Sequence, residues 1–330
     1  MGPKKRVTLK DIAAKTGYTI NTISRALKDR DDISLKTRKH IRETAKELGY
    51  VEDSAASALR SGKTKTIAVI IGDISNPFFG SQVRDIELAV RENGYTIIIY
   101  NTGEQTEWEK RAILSAYSKR VDGIILCPVQ ENKDNILLLQ KLGVPFILAG
   151  RYFRDIVTDA IVWNDVKAGE LAASHLIGLG HVNILYLGGP LYISSGTDRL
   201  TGFRNAHREK GIPVNENMIR ITSITAGASG EAILRVLREG LPFTAVVAFS
   251  DLMAYEILYT LENHAYDRYD HISIAGCDDI REKILFPVNF PSVRCIEDEA
   301  EICVDILMQK IHGRKNSPVV HFLDVELRLP

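Results

Sequence analysis

The chain has 330 residues, 45% hydrophobic and 25% charged, with 42 Lys/Arg against 42 Asp/Glu. The length exceeds one ordinary core and predicts two or three domains of a soluble globular protein. No apolar run approaches the roughly 20 residues needed to span a bilayer, and the start lacks the apolar stretch of a secretion signal. A membrane protein is excluded, and a cytoplasmic one is expected.

Net charge is zero, but its distribution is uneven. Residues 1–65 hold 16 Lys/Arg and 8 Asp/Glu, a balance of +8; the remaining 26 and 34 leave −8 for the rest. A basic head on an acidic body suits a small nucleic-acid-contacting domain attached to a second function. The start, Met1-Gly2-Pro3-Lys4-Lys5-Arg6, fits a phosphate-contacting arm and a solvated tail equally. Cys127, Cys277, Cys295 and Cys303 lack CxxC spacing and stand among apolar neighbours, so reduced core thiols are expected and no metal site.

In chain order, Thr8 and Asp11 form a capping-box pattern, and Leu9, Ile12 and Ala13 put an apolar stripe on a short helix that Gly17 ends. Thr19 can cap a second helix, with Ile23, Ala26 and Leu27 inward and Ile20, Asn21, Thr22 and Arg25 outward. The pair reads as a helix-turn-helix, or as a plain helical hairpin. The outward polar groups favour the first, because Asn can pair with adenine and Arg with guanine. A third helix, capped by Ser34 and ended by Gly49, closes the small bundle through Ile41, Ala45 and Leu48.

Residues 52–62 carry Asp53, a good N-cap, and alanines that favour helix, but are shorter than the roughly 12–15 residues at which an isolated helix holds in water. A conditional helix is expected there, followed by a polar linker. From Thr66 β-branched runs alternate with helical periods: strands over 66–71, 96–100, 123–127 and 145–149, helices over 79–93, 107–119 and 135–142. The rhythm restarts with helices over 168–179, 198–210, 229–238 and 252–263 and strands over 183–187, 218–221, 245–248 and 272–275. This is an α/β pattern of two doubly wound parallel-sheet lobes, which place ligands at the C-terminal strand edges and so form a cleft. One more helix over 297–311 and one last strand over 319–327 complete the chain. The domains expected are 1–50 (helix-turn-helix), 51–65 (hinge helix and linker) and 66–330 (lobe 1 about 66–163 and 293–318; lobe 2 about 164–292 and 319–330).

These residues resemble the LacI/GalR family of bacterial transcription regulators over essentially the whole chain. The head, VTLKDIAAKTGYTINTISRAL then SLKTRKHIRETAKELGY, is similar to the family's head motif, and IIGDISNPFF, KRVDGIIL, LGH, GG, RLTGF, FSDLMA and GCDD follow in the family's order and spacing. The resemblance implies a homodimer whose heads read a palindromic operator and whose body, periplasmic-binding-protein-like, holds a small effector. It implies that Ile20, Asn21 and Arg25 contact bases, while Thr8, Thr19, Thr22 and Ser24 mostly hold phosphates. For Ile20, partial burial in the head's core is the other reading. Residues 54–59 look like the family's hinge helix, and Leu59 matches the leucine that wedges a base step. Glu52, Asp53 and Ser57 depart from the Pro, Asn and Arg usual there, so modest operator affinity is expected, which Asp53→Asn would raise.

In the cleft, aromatic faces stack on sugar C–H faces, and Asn, Arg and Asp bond hydroxyls. By similarity to ribose-type sugar-binding proteins, Asn76, Phe78, Phe79, Arg151, Arg199 and Asp278 match sugar-contacting positions, whereas Gly150 and Ser250 stand where Asp and Asn are common. Ile193 replaces the arginine of the purine-responsive member, which favours a sugar over a purine. Simpler readings are core filling for Phe78 and Phe79, a helix-start salt bridge for Arg199, and a solvated turn for Asp278 and Asp279. The function expected is transcription control, as a repressor, by an effector that shifts the lobes and the hinge. The alternatives are a transport-type solute-binding protein, which would need a secretion signal and no basic head, and an α/β sugar or nucleotide enzyme. Neither GxGxxG, GxxxxGK[ST] nor GxSxG occurs in the body, and His175, His181 and His271 stand apart, so no catalytic residue and no cofactor is expected.

Overall fold

The computed structural model describes residues 6–51, 62–264, 272–282, 289–314 and 317–330. The chain divides into two compact units, Met1–Thr64 and Lys65–Pro330.

The first unit holds α1 (Leu9–Thr16), α2 (Ile20–Leu27) and α3 (Leu35–Leu48). Asp11 accepts from the Thr8 backbone N–H and hydroxyl at 2.8 and 2.7 Å, the reach-back half of a capping box. Gly17 and Gly49 end α1 and α3 at φ 73° and 69°, the left-handed region that costs glycine least. Ile12, Ile23 and Ile41 are fully buried and hold the bundle, each contributing about 1.5–3 kcal/mol on burial.

The second unit contains two six-stranded sheets. The first, with strand order β11-β5-β4-β3-β1-β2, comprises β1 (Thr66–Ile71), β2 (Thr96–Asn101), β3 (Gly123–Leu126), β4 (Phe146–Ala149), β5 (Ala160–Trp163) and β11 (Val320–Leu323), all parallel. The second, β12-β10-β9-β8-β6-β7, comprises β6 (Ile184–Gly188), β7 (Ile219–Ile221), β8 (Ala245–Ala248), β9 (Ser273–Cys277), β10 (Ser292–Cys295) and β12 (Val325–Arg328). Among the described residues, only the β10–β12 pairing runs antiparallel. Central strands are buried on both faces, which is why they read as unbroken apolar runs. Helices α4 (Pro77–Glu92), α5 (Thr106–Ser118) and α6 (Asp134–Leu142) belong to the first lobe. The second carries α7 (Asp165–Gly178), α8 (Ser194–Glu209), α9 (Ala228–Arg238) and α10 (Asp251–Asn263), and α11 (Glu299–Ile311) returns to the first, against α4. The α7–α8 crossing is close because both contact points are glycine: a Cβ at Gly169 would meet the Arg199 carbonyl, and one at Gly202 the Val166 carbonyl.

Three expectations are corrected. Strands β5 (Ala160–Trp163) and β10 (Ser292–Cys295) were not foreseen; each directly precedes a crossing between lobes, outside the strand–helix alternation that marked the others. The last strand is two, broken at Asp324, because β11 pairs with β5 in the first sheet and β12 with β10 in the second. The lobe limits therefore move. Residues 292–295 belong to the second sheet and 320–323 to the first, and the chain crosses between lobes three times, near Asn164, Glu297 and Asp324.

Candidate functional site

On the head, α2 offers one face. Thr19 caps it, its hydroxyl accepting from the Thr22 N–H at 3.2 Å, which fixes the helix start. Ile23 and Ala26 turn into the core, leaving Asn21 and Arg25 exposed and Thr22 and Ser24 half-buried, with Thr8 exposed ahead of α1. Ile20 is 42% exposed. Arg25 is not free: its guanidinium lies 2.6 Å from Asp32, and a hydrogen bond to that carboxylate raises the arginine's affinity for its proton and lowers that of Asp32. Leu59, Glu52, Asp53, Ser57 and His271 lie outside the described residues.

In the body, Asn76, Phe78, Phe79, Arg151, Arg199, Ser250 and Asp278 all line one cavity of about 1080 Å³ including its open mouth. Their origins explain the convergence. Asn76 to Phe79 follow β1 and open α4, Arg151 follows β4, Ser250 follows β8 and Asp278 follows β9, so each stands at the C-terminal edge of a parallel strand. Asn76 and Ser250 cap α4 and α10, accepting from the N–H of Phe78 at 3.0 Å and of Met253 at 3.3 Å. Phe79 is buried and Phe78 half-buried, and Phe78 meets Trp163 edge-on at 5.6 Å, giving an aromatic wall.

Two buried arginines dominate the electrostatics, and both are matched. Gly150, at φ 72°, turns the chain after β4. Arg151 then donates Nη1 to Glu104 Oε2 and to the Pro128 carbonyl at 2.8 Å each, and Nη2 to Glu104 Oε1 at 3.0 Å. Arg199 donates Nε to Asp165 at 2.7 Å and Nη1 to the Phe249 carbonyl, lies 3.7 Å from Asp278, and stacks over Phe249 at 4.7 Å. Burial alone would favour deprotonation of either guanidinium, but the neighbouring charges outweigh it and raise both. Burial pushes Asp165 and Asp278 above the usual carboxylate range despite Arg199. Asp73 and Glu256 also line the cavity, so its acidic groups outnumber its cations.

The lobes touch across the cleft. Gln130 accepts from the Ser194 N–H at 2.9 Å and donates to the Tyr152 carbonyl at 2.8 Å, and the Tyr152 hydroxyl donates to Asp198 at 3.0 Å. Asp198 also pairs with Arg154, while its neighbour Arg199 turns to Asp165, so the two adjacent charges serve different partners. The solvated-turn reading of Asp279 is overturned: it is 3% exposed and engaged by Arg281 at 2.6 Å and Arg328 at 3.2 Å. Ile193 is fully buried, and Cys295 is only half-buried. Glu104, Trp163, Asp165 and Phe249 were not foreseen. Glu104 holds a left-handed backbone at φ 56° in a loop, and Trp163 ends an unforeseen strand, so neither carried a local signal.

Among the described residues, no helix is long and apolar enough to cross a membrane. Comparison with known proteins matches residues 8–53 to "Bacterial regulatory proteins, lacI family" and residues 64–276 to "Periplasmic binding proteins and sugar binding domain of LacI family". The HTH-type transcriptional regulator DegA of Bacillus subtilis (strain 168) is 31% identical over 277 residues, 83% of this chain and 82% of that protein. The regulator GalR of Escherichia coli (strain K12) is 28% identical, covering 90% and 88%. Among solved structures, the transcriptional regulator CelR-cellobiose complex aligns with TM-score 0.72 at 25% identity over 98% of this chain and 99% of that one. The Lac repressor dimer bound to operator and the anti-inducer ONPF has the same fold, with TM-score 0.84 at 23% identity over 98% of each.

Proposed function

The chain belongs to the LacI family of bacterial regulatory proteins and is a DNA-binding transcriptional regulator, and on that premise we propose that an uncharged sugar in the cleft controls how its homodimer holds an inverted-repeat operator. One observation carries the choice of ligand: the two arginines facing the cavity are matched in charge by carboxylates, and the third element of the wall is aromatic. An anionic metabolite would find no free cation and an excess of acidic groups; a neutral polyol finds ring faces to stack on and oriented donors and acceptors. Asn76, Ser250 and Asp278 bond hydroxyls, Arg151 and Arg199 offer their remaining N–H groups, and Phe78 and Phe79 supply the apolar face.

At the head, Ile20, Asn21 and Arg25 read base edges, and Thr8, Thr19, Thr22 and Ser24 hold the backbone that sets the register. Leu59 wedges a minor-groove step. The protein acts in the cytoplasm as a repressor. Ligand favours one arrangement of the lobes, and the bonds from Tyr152 and Gln130 to the start of α8 are those that closure makes or breaks. The test is fluorescence anisotropy on an inverted-repeat duplex selected from random DNA, titrated with neutral sugars, uronic acids and sugar phosphates. A neutral sugar should change operator affinity by about 5–150-fold, a coupling of about 1–3 kcal/mol. A response to the anionic members alone would overturn the assignment, and no preference for inverted repeats would overturn the mode of DNA reading.

A further inference from the structure

A second cavity, of about 910 Å³, adjoins the first, and Phe78, Trp163 and Asp278 line both, so these side chains form the partition between them. Glu299, the first residue of α11, stands on the second side. Its Oε2 accepts from Trp163 Nε1 at 2.8 Å and from Gln82 Nε2 of α4 at 3.0 Å. Its Oε1 is buried and has no hydrogen-bond partner. One carboxyl group thus ties the end of β5, the first helix of the first lobe and the crossing that enters α11.

We propose that Glu299 is a positioning residue of the ligand cavity, holding the Trp163 indole edge-on to Phe78 from behind, and that its protonation sets how firmly the ring is held. The inference deepens the sugar-cleft reading above and rests on it only for the ligand. An ionised carboxylate accepts stronger hydrogen bonds than the neutral acid. The surroundings place that change near neutrality. Burial raises the Glu299 carboxyl to about 7 in spite of the Trp163 and Gln82 bonds, and Asp165 and Asp298 push the same way. From α4, Asp85 lines the cavity, as do Glu297, Asp278 and Asp279. The thiols of Cys127, Cys295 and Cys303 are held protonated by burial. Arg294, the cation lining this cavity among the described residues, lies 2.7 Å from Glu326.

Trp108 and Trp163 are the two tryptophans of the chain, and Trp108 is half exposed on α5. In full-length Trp108→Phe protein, emission therefore reports on Trp163 alone. Excitation moves electron density away from the pyrrole nitrogen, so an anion at that N–H shifts emission to the red. Between about pH 5.5 and 8.5 the emission should move red in one sigmoidal step, which Glu299→Gln abolishes. Gln82→Leu, which removes one donor to the anion, should move the midpoint upward. A flat profile in Trp108→Phe, or an unchanged step after Glu299→Gln, would overturn the role. In the ligand arm, D-glucose, D-ribose and cellobiose are titrated by calorimetry. Glu299→Met should weaken the tightest of them by about tenfold or more, while Glu299→Gln stays within about threefold at one pH. Equal affinity in wild type and Glu299→Met would also overturn it. If none of the three binds, the sugar reading of the cleft fails, and the emission titration decides the role of Glu299.

Discussion

The Arg25 guanidinium and the Asp32 carboxylate lie 2.6 Å apart on the exposed face of the head, so the side chain assigned to a base edge is already held by an anion. Asp32 belongs to the turn after α2, which also carries Asp29 and Asp31, both near Arg38. Asp32 thus holds the arginine of α2, while Asp29 and Asp31 lie beside an arginine of α3.

Replacing Asp32 by Asn releases Arg25 and removes a negative charge near the phosphates. Operator affinity should rise by about two- to tenfold at about 0.15 M salt, and the gain should shrink as salt increases. Anisotropy at several salt concentrations measures both. A loss of affinity would mean that Asp32 orients Arg25 instead of restraining it.

Glu104→Gln leaves Arg151 with the Pro128 carbonyl and no carboxylate. The freed guanidinium then faces the cavity with an unbalanced charge, and a uronic acid should bind about tenfold or more tighter than to the wild type by calorimetry. Unchanged selectivity between glucose and glucuronate would show that the pair does not set ligand charge.

Arg199→Met strands Asp165 and Asp278, whose side chains are 5% and 7% exposed. Removing one member of a buried charge set costs about 3–5 kcal/mol, to be read from denaturant unfolding, and the operator response to ligand should be lost with it. Part of the stability should return as pH falls, because both carboxyls already lie above their usual range and take up protons readily.

The same logic gives a pH profile for the wild type. Burial raises Glu299 to about 7 and pushes Asp251 well above the usual carboxylate range, so the folded chain binds these protons more tightly than the unfolded one. Their cost is absent below the unfolded values, grows as pH rises through them and is complete above about 7. For Glu299 alone the full cost is about 3 kcal/mol. Thermal unfolding should show Glu299→Gln gaining on the wild type as pH goes from about 5 to 8, with the difference vanishing at low pH. A difference independent of pH would contradict the burial argument.

The parts of the fold legible in the sequence were those with a local cause. Thr66–Ile71 and Ala245–Ala248 read as strands because they are buried on both faces, and Thr19 and Ser34 announced their helices as caps. Asn76, Phe78 and Phe79 were legible because they form one contiguous turn after a strand. Glu104 and Trp163 reach the same cavity from other loops, and only the strand order brings them there. Asp279 looked like a solvent-facing turn residue because nothing near it in sequence hints at Arg328, 49 positions on. Asp324 likewise sits between Leu323 and Val325 with no glycine or proline to mark the break, which reflects a change of pairing partner that only the tertiary structure defines.

Two interleaved sheets also constrain how the body can be divided. The first sheet obtains its outermost strand, and the helix across its face, from chain that has already visited its neighbour; the second is completed by Val325–Arg328. Neither half is a portable module, so a cut near Asn164 separates fragments that each lack pieces of themselves, and residues 320–328 must be in place before either half is whole.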